Sequence, residues 1–262
     1  MRKKIGVFDS GLGGLTVLKQ LLLYVPNADY FYLGDNARVP YGNKSKKTVI
    51  HYSEQAVEFL IDNNVDTIVI ACNTASAISL DHLIEKYPEI NFIGMIDSAV
   101  DEANRSSKGI VGVIGTSATI KSQAYSNSLS KSLTVITSPC PLFVPLVESG
   151  YNDFLEATKL IASKYLSEIK QSNADTLILA CTHYPFLRTL IQDILPNVNI
   201  IDTGEFAARS LANENFEISK LAPTVTYFTT DEPNNFIEIA ARDLNLKINS
   251  IEVVDLELYR NK

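Results

Sequence analysis

The sequence predicts an α/β protein built from two similar domains, each with a largely parallel sheet, related by pseudo-twofold symmetry. Three observations carry this. Short β-branched apolar runs alternate with longer stretches of helical apolar spacing, the signature of strand–helix–strand units. The phrase DTIVIACNTA at Asp66–Ala75 returns as DTLILACTHY at Asp175–Tyr184, an offset of 109 residues between Cys72 and Cys181. The opening KIGVF and its glycine turn are echoed by IVGVIG, where Gly6-Val7 matches Gly112-Val113 at an offset of 106. Two matches at nearly one offset, in a chain without low complexity, indicate an internal repeat. The expected domains are residues 1–97 with 207–262, and residues 98–206. Each would be flavodoxin-like/Rossmann-like, with the active site between them.

Bulk properties narrow the function. The chain has 262 residues, 46% of them apolar, enough for two real cores. A net charge of −7 gives no footprint for nucleic acid or an anionic membrane surface. No apolar run is long enough for a transmembrane helix and the N-terminus has no signal-peptide core, so a cytoplasmic protein is expected. Three widely spaced cysteines without CxxC spacing argue against a disulfide scaffold and a structural zinc site.

Taken in order, the first strand is predicted at Lys4–Phe8, followed by the turn Asp9-Ser10-Gly11 and a helix carrying Leu15, Leu18, Leu21, Leu22 and Val25. The glycine turn lacks both the Lys-Ser/Thr of a phosphate loop and the GxGxxG register of a dinucleotide site. A strand at Asp29–Leu33 runs into GDNARVPYGNKS, which puts Asp35, Arg38, Pro40, Tyr41 and Gly42 where α/β proteins place ligand contacts. A plain Pro/Gly surface turn is the alternative. The helix Lys46–Asn63 carries His51 and Glu54, read as solvated or structural. TIVIA at Thr67–Ala71 is a strand buried on both faces, which leaves Cys72 at its carboxyl end. Asn73 and Thr74 are expected to cap the next helix, which includes His82 in a surface or packing role.

Strand Phe92–Ile96 and a helix starting at Asp97-Ser98 close the first half. In the second half, strand Ile110–Gly115 leads to Thr116–Thr119. Strand Leu133–Thr137 precedes Cys140, which sits between two prolines and is read as structural. Glu148 is a candidate for the site wall. One helix is expected over Asp153–Gln171, then strand Thr176–Ala180, Cys181, Thr182 and His183, with Pro185 in a first helical turn. His183 could set the charge of the thiol or simply cap the helix. A strand at Val198–Asp202 and a helix from Gly204 follow. The remainder, a strand at Val225–Phe228, a helix at Glu232–Leu244 and a strand at Ile251–Leu256, is assigned to the first domain.

A cysteine at a strand end beside a helix N-terminus is either packing or chemistry, and the helix end favours a more accessible thiolate. Two such thiols facing one cleft suit inversion of a stereocentre. That reaction needs a base on one face of a carbon and an acid on the other, and a side chain with pKa near 8.5 can be either. Redox chemistry and metal binding fit the spacing less well.

The stretches VFDSGLGGLTV, GDNARVPYG, ACNTASA, CPLFVPLVESG and LACTHYPFL resemble the glutamate racemase family across essentially the whole chain. The resemblance implies a cofactor-independent isomerase supplying D-glutamate for bacterial cell walls, with glutamate bound between two pseudo-symmetric α/β domains. It implies that Cys72 deprotonates D-glutamate and Cys181 deprotonates L-glutamate, with Asp9, Glu148 and His183 tuning the thiols. Asp9, Ser10, Pro40, Tyr41, Gly42, Asn73, Thr74, Thr182 and His183 would contact substrate. Hydroxyl and N–H groups of Ser10, Gly42, Asn73, Thr74, Thr116, Thr119 and Thr182 can hold the carboxylates, and Asp9 can pair with the ammonium. No pyridoxal phosphate site and no metal site is expected, and a homodimer is compatible with the family. An aspartate racemase of the same superfamily, or a non-catalytic amino-acid binder, are the rival readings. The chain starts a few residues before its first strand, so activation through an N-terminal extension that binds a cell-wall precursor is not expected.

Overall fold

The computed structural model describes residues 2–214 and 222–258. Met1 and the stretches 215–221 and 259–262, which the expected first domain includes, lie outside the described residues. The first sheet-and-helix series is β1 (Lys3–Asp9), α1 (Leu15–Tyr24), β2 (Ala28–Gly34), α2 (Lys46–Asp62), β3 (Thr67–Ile70), α3 (Asn73–Lys86), β4 (Asn91–Ile93) and α4 (Asp97–Ser106). The second is β5 (Ile110–Gly115), α5 (Ser117–Ser122), α6 (Ala124–Ser128), β6 (Thr134–Pro139), α7 (Phe143–Glu148), α8 (Leu155–Tyr165), α9 (Ser167–Gln171), β7 (Thr176–Ala180), α10 (Arg188–Ile194), β8 (Asn199–Asp202) and α11 (Thr203–Ala212). Then come β9 (Val225–Thr229), α12 (Asn234–Leu244) and β10 (Glu252–Val253).

Two sheets result, ordered β10-β9-β2-β1-β3-β4 and β6-β5-β7-β8. Every strand pairing among the described residues is parallel. The order β2-β1-β3-β4 in one sheet corresponds to β6-β5-β7-β8 in the other, so the sequence repeat is a repeat of topology. The C-terminal β9 and β10 extend the first sheet beyond β2.

The central strands are apolar throughout because both faces are covered. β3 and β7 are buried along their whole length. On one side of the first sheet α1 sinks Leu15, Leu18 and Leu21 completely, each worth about 1.5–3 kcal/mol of burial. These side chains share a core with Ala207, Ala208 and Leu211 of α11 and Phe236 and Ile239 of α12. Residues of α2 and α3 cover the opposite side. Helix α11 packs on α1 and on α4, so the boundary expected at residue 206 falls inside a helix shared by both halves.

Several expected elements have different bounds. The helix expected over Asp153–Gln171 begins as a 3-10 turn at Tyr151–Phe154 and breaks at Leu166 into α8 and α9. Buried Leu166 and Ile169 keep both pieces on the sheet. The strand expected at Phe92–Ile96 stops at Ile93, because the chain leaves the sheet at Gly94 to start α4. The last strand pairs over only two residues. No described helix is long and apolar enough to cross a membrane.

Candidate active site

Both cysteines stand where a buried parallel strand ends. Cys72 follows β3 and is the residue before the first turn of α3. Cys181 follows β7 and precedes a 3-10 turn, Tyr184–Leu187, opened by Pro185. Each thiol is 5% exposed, and both line one cavity at the carboxyl ends of the two sheets. Ligands of open α/β sheets bind at such ends. The cavity is nearly closed: a water's centre can occupy about 20 Å³ of it, room for one water molecule.

The first half contributes Ser10, Pro40, Tyr41, Gly42, Asn73 and Thr74 to the wall, and the second Thr116, Thr182 and His183. Val39 and Val144 also line it, and the sequence does not single them out. Their signal lies in stretches already quoted, VPYG and LFVPLV, but an apolar residue carries no chemical mark of a site. Asp9, Thr119 and Glu148 stand behind the lining. Thr74, Thr116 and Thr119 form a ring of hydroxyls at 2.9–3.0 Å that joins α3 to the start of α5. Gly42 rests directly on this ring. A Cβ there would lie 2.4 Å from Thr116 Cβ, so no larger residue fits without moving one wall.

The loop Asp35–Asn43 is held in place by a buried brace. Asp35 accepts from Arg38 Nε at 2.8 and 3.0 Å, from the Tyr41 hydroxyl, and from Thr230 Oγ1 at 2.9 Å. Arg38 stacks on Tyr52 at 4.1 Å and donates to Gln55. Pro40, Tyr41 and Gly42 thus reach the cavity, while Asp35 and Arg38 hold them there.

Asn73 and Thr74 do not cap α3, contrary to expectation. They are its first two residues, and Cys72 takes the cap position with no side-chain cap bond. Their side chains cross to the other half instead, Thr74 to the threonine ring and Asn73 to Tyr125 and Thr203. The hydroxyl of Thr116, by contrast, accepts from Thr119 N–H at 3.2 Å and caps α5.

The charge state of the thiols also differs from expectation. Burial, with the charge of Asp9 adding to it, raises the Cys72 pKa from 9.0 to about 11. The Ser10 hydroxyl, 3.4 Å away, and the helix-end N–H groups of Ala75 and Thr74 pull it down and are outweighed. Burial likewise pushes Cys181 up, against a single N–H bond from His183. In the closed site both sulfurs are therefore protonated. Cys140 is buried, and its pKa is raised by burial to about 12. Its thiol donates to Ser138 O at 3.5 Å.

Asp9 ends β1 and is completely buried. Its carboxylate accepts from Gly11 N–H at 3.0 Å and from Thr182 Oγ1 at 3.3 Å. Burial raises its pKa from 3.8 to about 6, although the nearby His183 and the N–H groups of Gly14 and Gly11 act the other way. The His183 Nε2 lies 2.9 Å from Glu148 Oε1 at the end of α7. Gly13 passes beneath this group so closely that a Cβ would sit 2.4 Å from His183 Nδ1. Among the described residues no group of three or more His, Cys, Asp or Glu side chains is arranged to hold a metal ion. His82 and Glu54 pair with each other at 2.7 Å, away from the cavity.

A doubled parallel α/β fold with one thiol from each half lining a shared cavity defines a protein built to hold a small ligand between two like groups. Comparison with known proteins agrees with that class. The Asp/Glu/Hydantoin racemase family profile matches residues 6–211. The chain is 45% identical over 259 residues to a glutamate racemase of Sulfurihydrogenibium sp., covering 97% of each chain. It is 47% identical over 234 residues to one from Aquifex aeolicus, covering 88% of this chain and 90% of the relative. Among solved structures, the glutamate racemase of Francisella tularensis in complex with D-glutamate superposes with a TM-score of 0.89 at 37% identity, covering 98% and 99% of the two chains. The RacE1 isoform of Bacillus anthracis superposes with a TM-score of 0.92 at 36% identity, covering 97% and 98%. The chain belongs to the Asp/Glu/hydantoin racemase family and, within it, to the glutamate racemases, which are isomerases.

Proposed function

We propose that this protein interconverts L- and D-glutamate without a cofactor, moving the α-proton between Cys72 and Cys181. The observation that carries the reading is the placement of two thiols at equivalent strand ends, one in each half, on a shared cavity. In one direction the Cys181 thiolate removes the proton from L-glutamate and the Cys72 thiol delivers another to the opposite face. In the other direction the roles exchange. Each cycle leaves the pair with its protonation reversed, and no electrons are transferred.

Because burial holds both thiols protonated in the closed site, one of them must lose its proton for turnover to start. Asp9, near both sulfurs, and the His183–Glu148 pair beside Cys181 are the groups proposed to adjust that equilibrium. Ser10, Gly42, Asn73, Thr74, Thr116 and Thr182 supply neutral donors for the carboxylates, with Thr119 supporting Thr116. Such donors also stabilise charge that spreads onto the α-carboxylate as the proton leaves. Room for a single water cannot admit an amino acid, so the walls must part for glutamate to enter. The division into domains at residues 97 and 206, a role in cell-wall precursor supply, cytoplasmic residence and a homodimer belong to the same proposal. They are supported by family membership and by the sequence resemblance.

The test is incubation with each enantiomer of glutamate and of aspartate in D2O, without added cofactor. Glutamate of either hand should gain α-deuterium and lose optical rotation, and aspartate should do neither. Absence of exchange from both glutamate enantiomers would sink the proposal, and exchange with aspartate alone would transfer it to the rival acidic substrate.

A further inference from the structure

Asn73 lines the cavity, and the two ends of its amide would have opposite consequences for an anion. Its nitrogen would donate to a carboxylate, whereas its oxygen would repel one. Which end is still free is a matter of the surrounding hydrogen bonds.

Two side chains of the second half settle it. Thr203, the first residue of α11, has one proton, and the carbonyl of Leu179 in β7 accepts it at 3.3 Å. Thr203 Oγ1 is therefore left as an acceptor, and Asn73 Nδ2 donates to it at 3.3 Å. Tyr125 of α6 also has one proton. Its nearer acceptor is Asn73 Oδ1 at 2.5 Å, with the Met95 carbonyl at 3.4 Å. A contact that short suits O–H···O and not N–H···O. Burial raises the Tyr125 pKa, so the phenol keeps its proton and has it to donate to Asn73. Oxygen toward Tyr125 and nitrogen toward Thr203 is the arrangement that satisfies both neighbours. One Nδ2 hydrogen has no partner among the described residues, and Asn73 lines the cavity.

We infer that Tyr125 and Thr203 are positioning residues that fix the Asn73 amide, occupying its oxygen and one Nδ2 hydrogen so that the second Nδ2 hydrogen is left to donate to a substrate carboxylate. This rests on the proposed reaction and goes beyond it, since neither residue lines the site. The same device recurs in the other copy. Thr182, which follows Cys181 as Asn73 follows Cys72, donates to Asp9 at 3.3 Å, and its carbonyl shares the Thr16 hydroxyl proton, at 3.0 Å, with Gly13 O at 2.8 Å, these partners all lying in the first half. The residue after each thiol is thus held by the opposite half of the molecule.

The experiment compares the wild type with Tyr125→Phe, Thr203→Val and Thr203→Ser, measuring kcat and KM in both directions together with thermal midpoints. Loss of one net hydrogen bond predicts a rise in KM of about three- to tenfold in Y125F and T203V for both enantiomers, with kcat within about twofold. T203S, which keeps the hydroxyl, should restore KM to the wild-type value. Unchanged KM in Y125F and T203V, with the wild type active, would overturn the inference alone. A fall in kcat or in thermal midpoint without a KM change, or no rescue by T203S, would also overturn it by assigning the two residues a purely structural role. An inactive wild type would instead overturn the reaction on which the inference depends.

Discussion

Asp9 is a buried carboxyl whose pKa rises from 3.8 to about 6, and replacing it by asparagine should make the protein more stable as well as less active. The sign follows from linkage. Between those two values the folded state binds the proton more tightly than the unfolded chain, so folding is favoured by acid and loses stability as pH rises through about 6. At about 1.4 kcal/mol for each tenfold change in the proton equilibrium, the ionised carboxylate costs the folded state about 3 kcal/mol near neutral pH. An asparagine amide in its place would mimic the protonated form. The amide oxygen can still accept from Gly11 N–H, and the amide nitrogen can donate to the Thr182 hydroxyl that now donates to Asp9. Urea unfolding of wild type and Asp9→Asn across this range should show little difference near pH 4 and a gain of about 3 kcal/mol for the variant near pH 8. The racemisation rate of the variant should fall, because the carboxylate beside both thiols is lost. A stability difference that fails to grow with pH, or a variant less stable at pH 8, would refute the claim that burial dominates the Asp9 environment.

Two further predictions concern the walls. Cys72→Ala and Cys181→Ala should each lower racemisation by about 10²–10⁴-fold, the usual share of a positioned acid or base, whereas Cys140→Ala should keep most of it. Comparable loss in all three variants, measured by optical rotation, would remove the case for pairing the first two. Gly42→Ala forces a methyl group to within 2.4 Å of Thr116 Cβ, an overpacking worth about 1–3 kcal/mol that moving the walls apart would relieve. It should lower kcat/KM for glutamate by about five- to a hundredfold with little change in thermal midpoint, and unchanged kinetics would show that the closed contact is not needed for turnover.

The repeat is legible because duplicated strands keep their apolar runs and the residue that ends them. Strand order 2-1-3-4 and its copy 6-5-7-8 follow from matched segments that sequence offsets can detect. The lining positions next to the cysteines are legible for the same reason. Less visible is anything decided by a contact between the halves. Asn73 and Thr74 look like caps because short polar residues at a strand-to-helix junction usually bond to the local backbone. Here, partners about 40 to 130 residues away compete for them and win. The helix ends beside the thiols are a local signal of easy ionisation, whereas the burial that leaves each thiol 5% exposed is not a local property. Leu166 breaks an expected helix for a similar reason, since apolar periodicity continues across it and only the sheet beneath decides where the chain turns.

The two copies are alike in strand and thiol and unlike in what secures the residue that follows. On the Cys72 side the anchors are neutral, a phenol and a hydroxyl that keep their protons at any ordinary pH. On the Cys181 side one anchor is Asp9, whose own proton is lost near pH 6 and which lies within electrostatic reach of both sulfurs. A symmetric fold thus presents one wall fixed by hydrogen bonds alone and another tied to a titrating group. That asymmetry is chemically useful to a reaction in which the two faces of one carbon must be told apart while the fold that built them is the same.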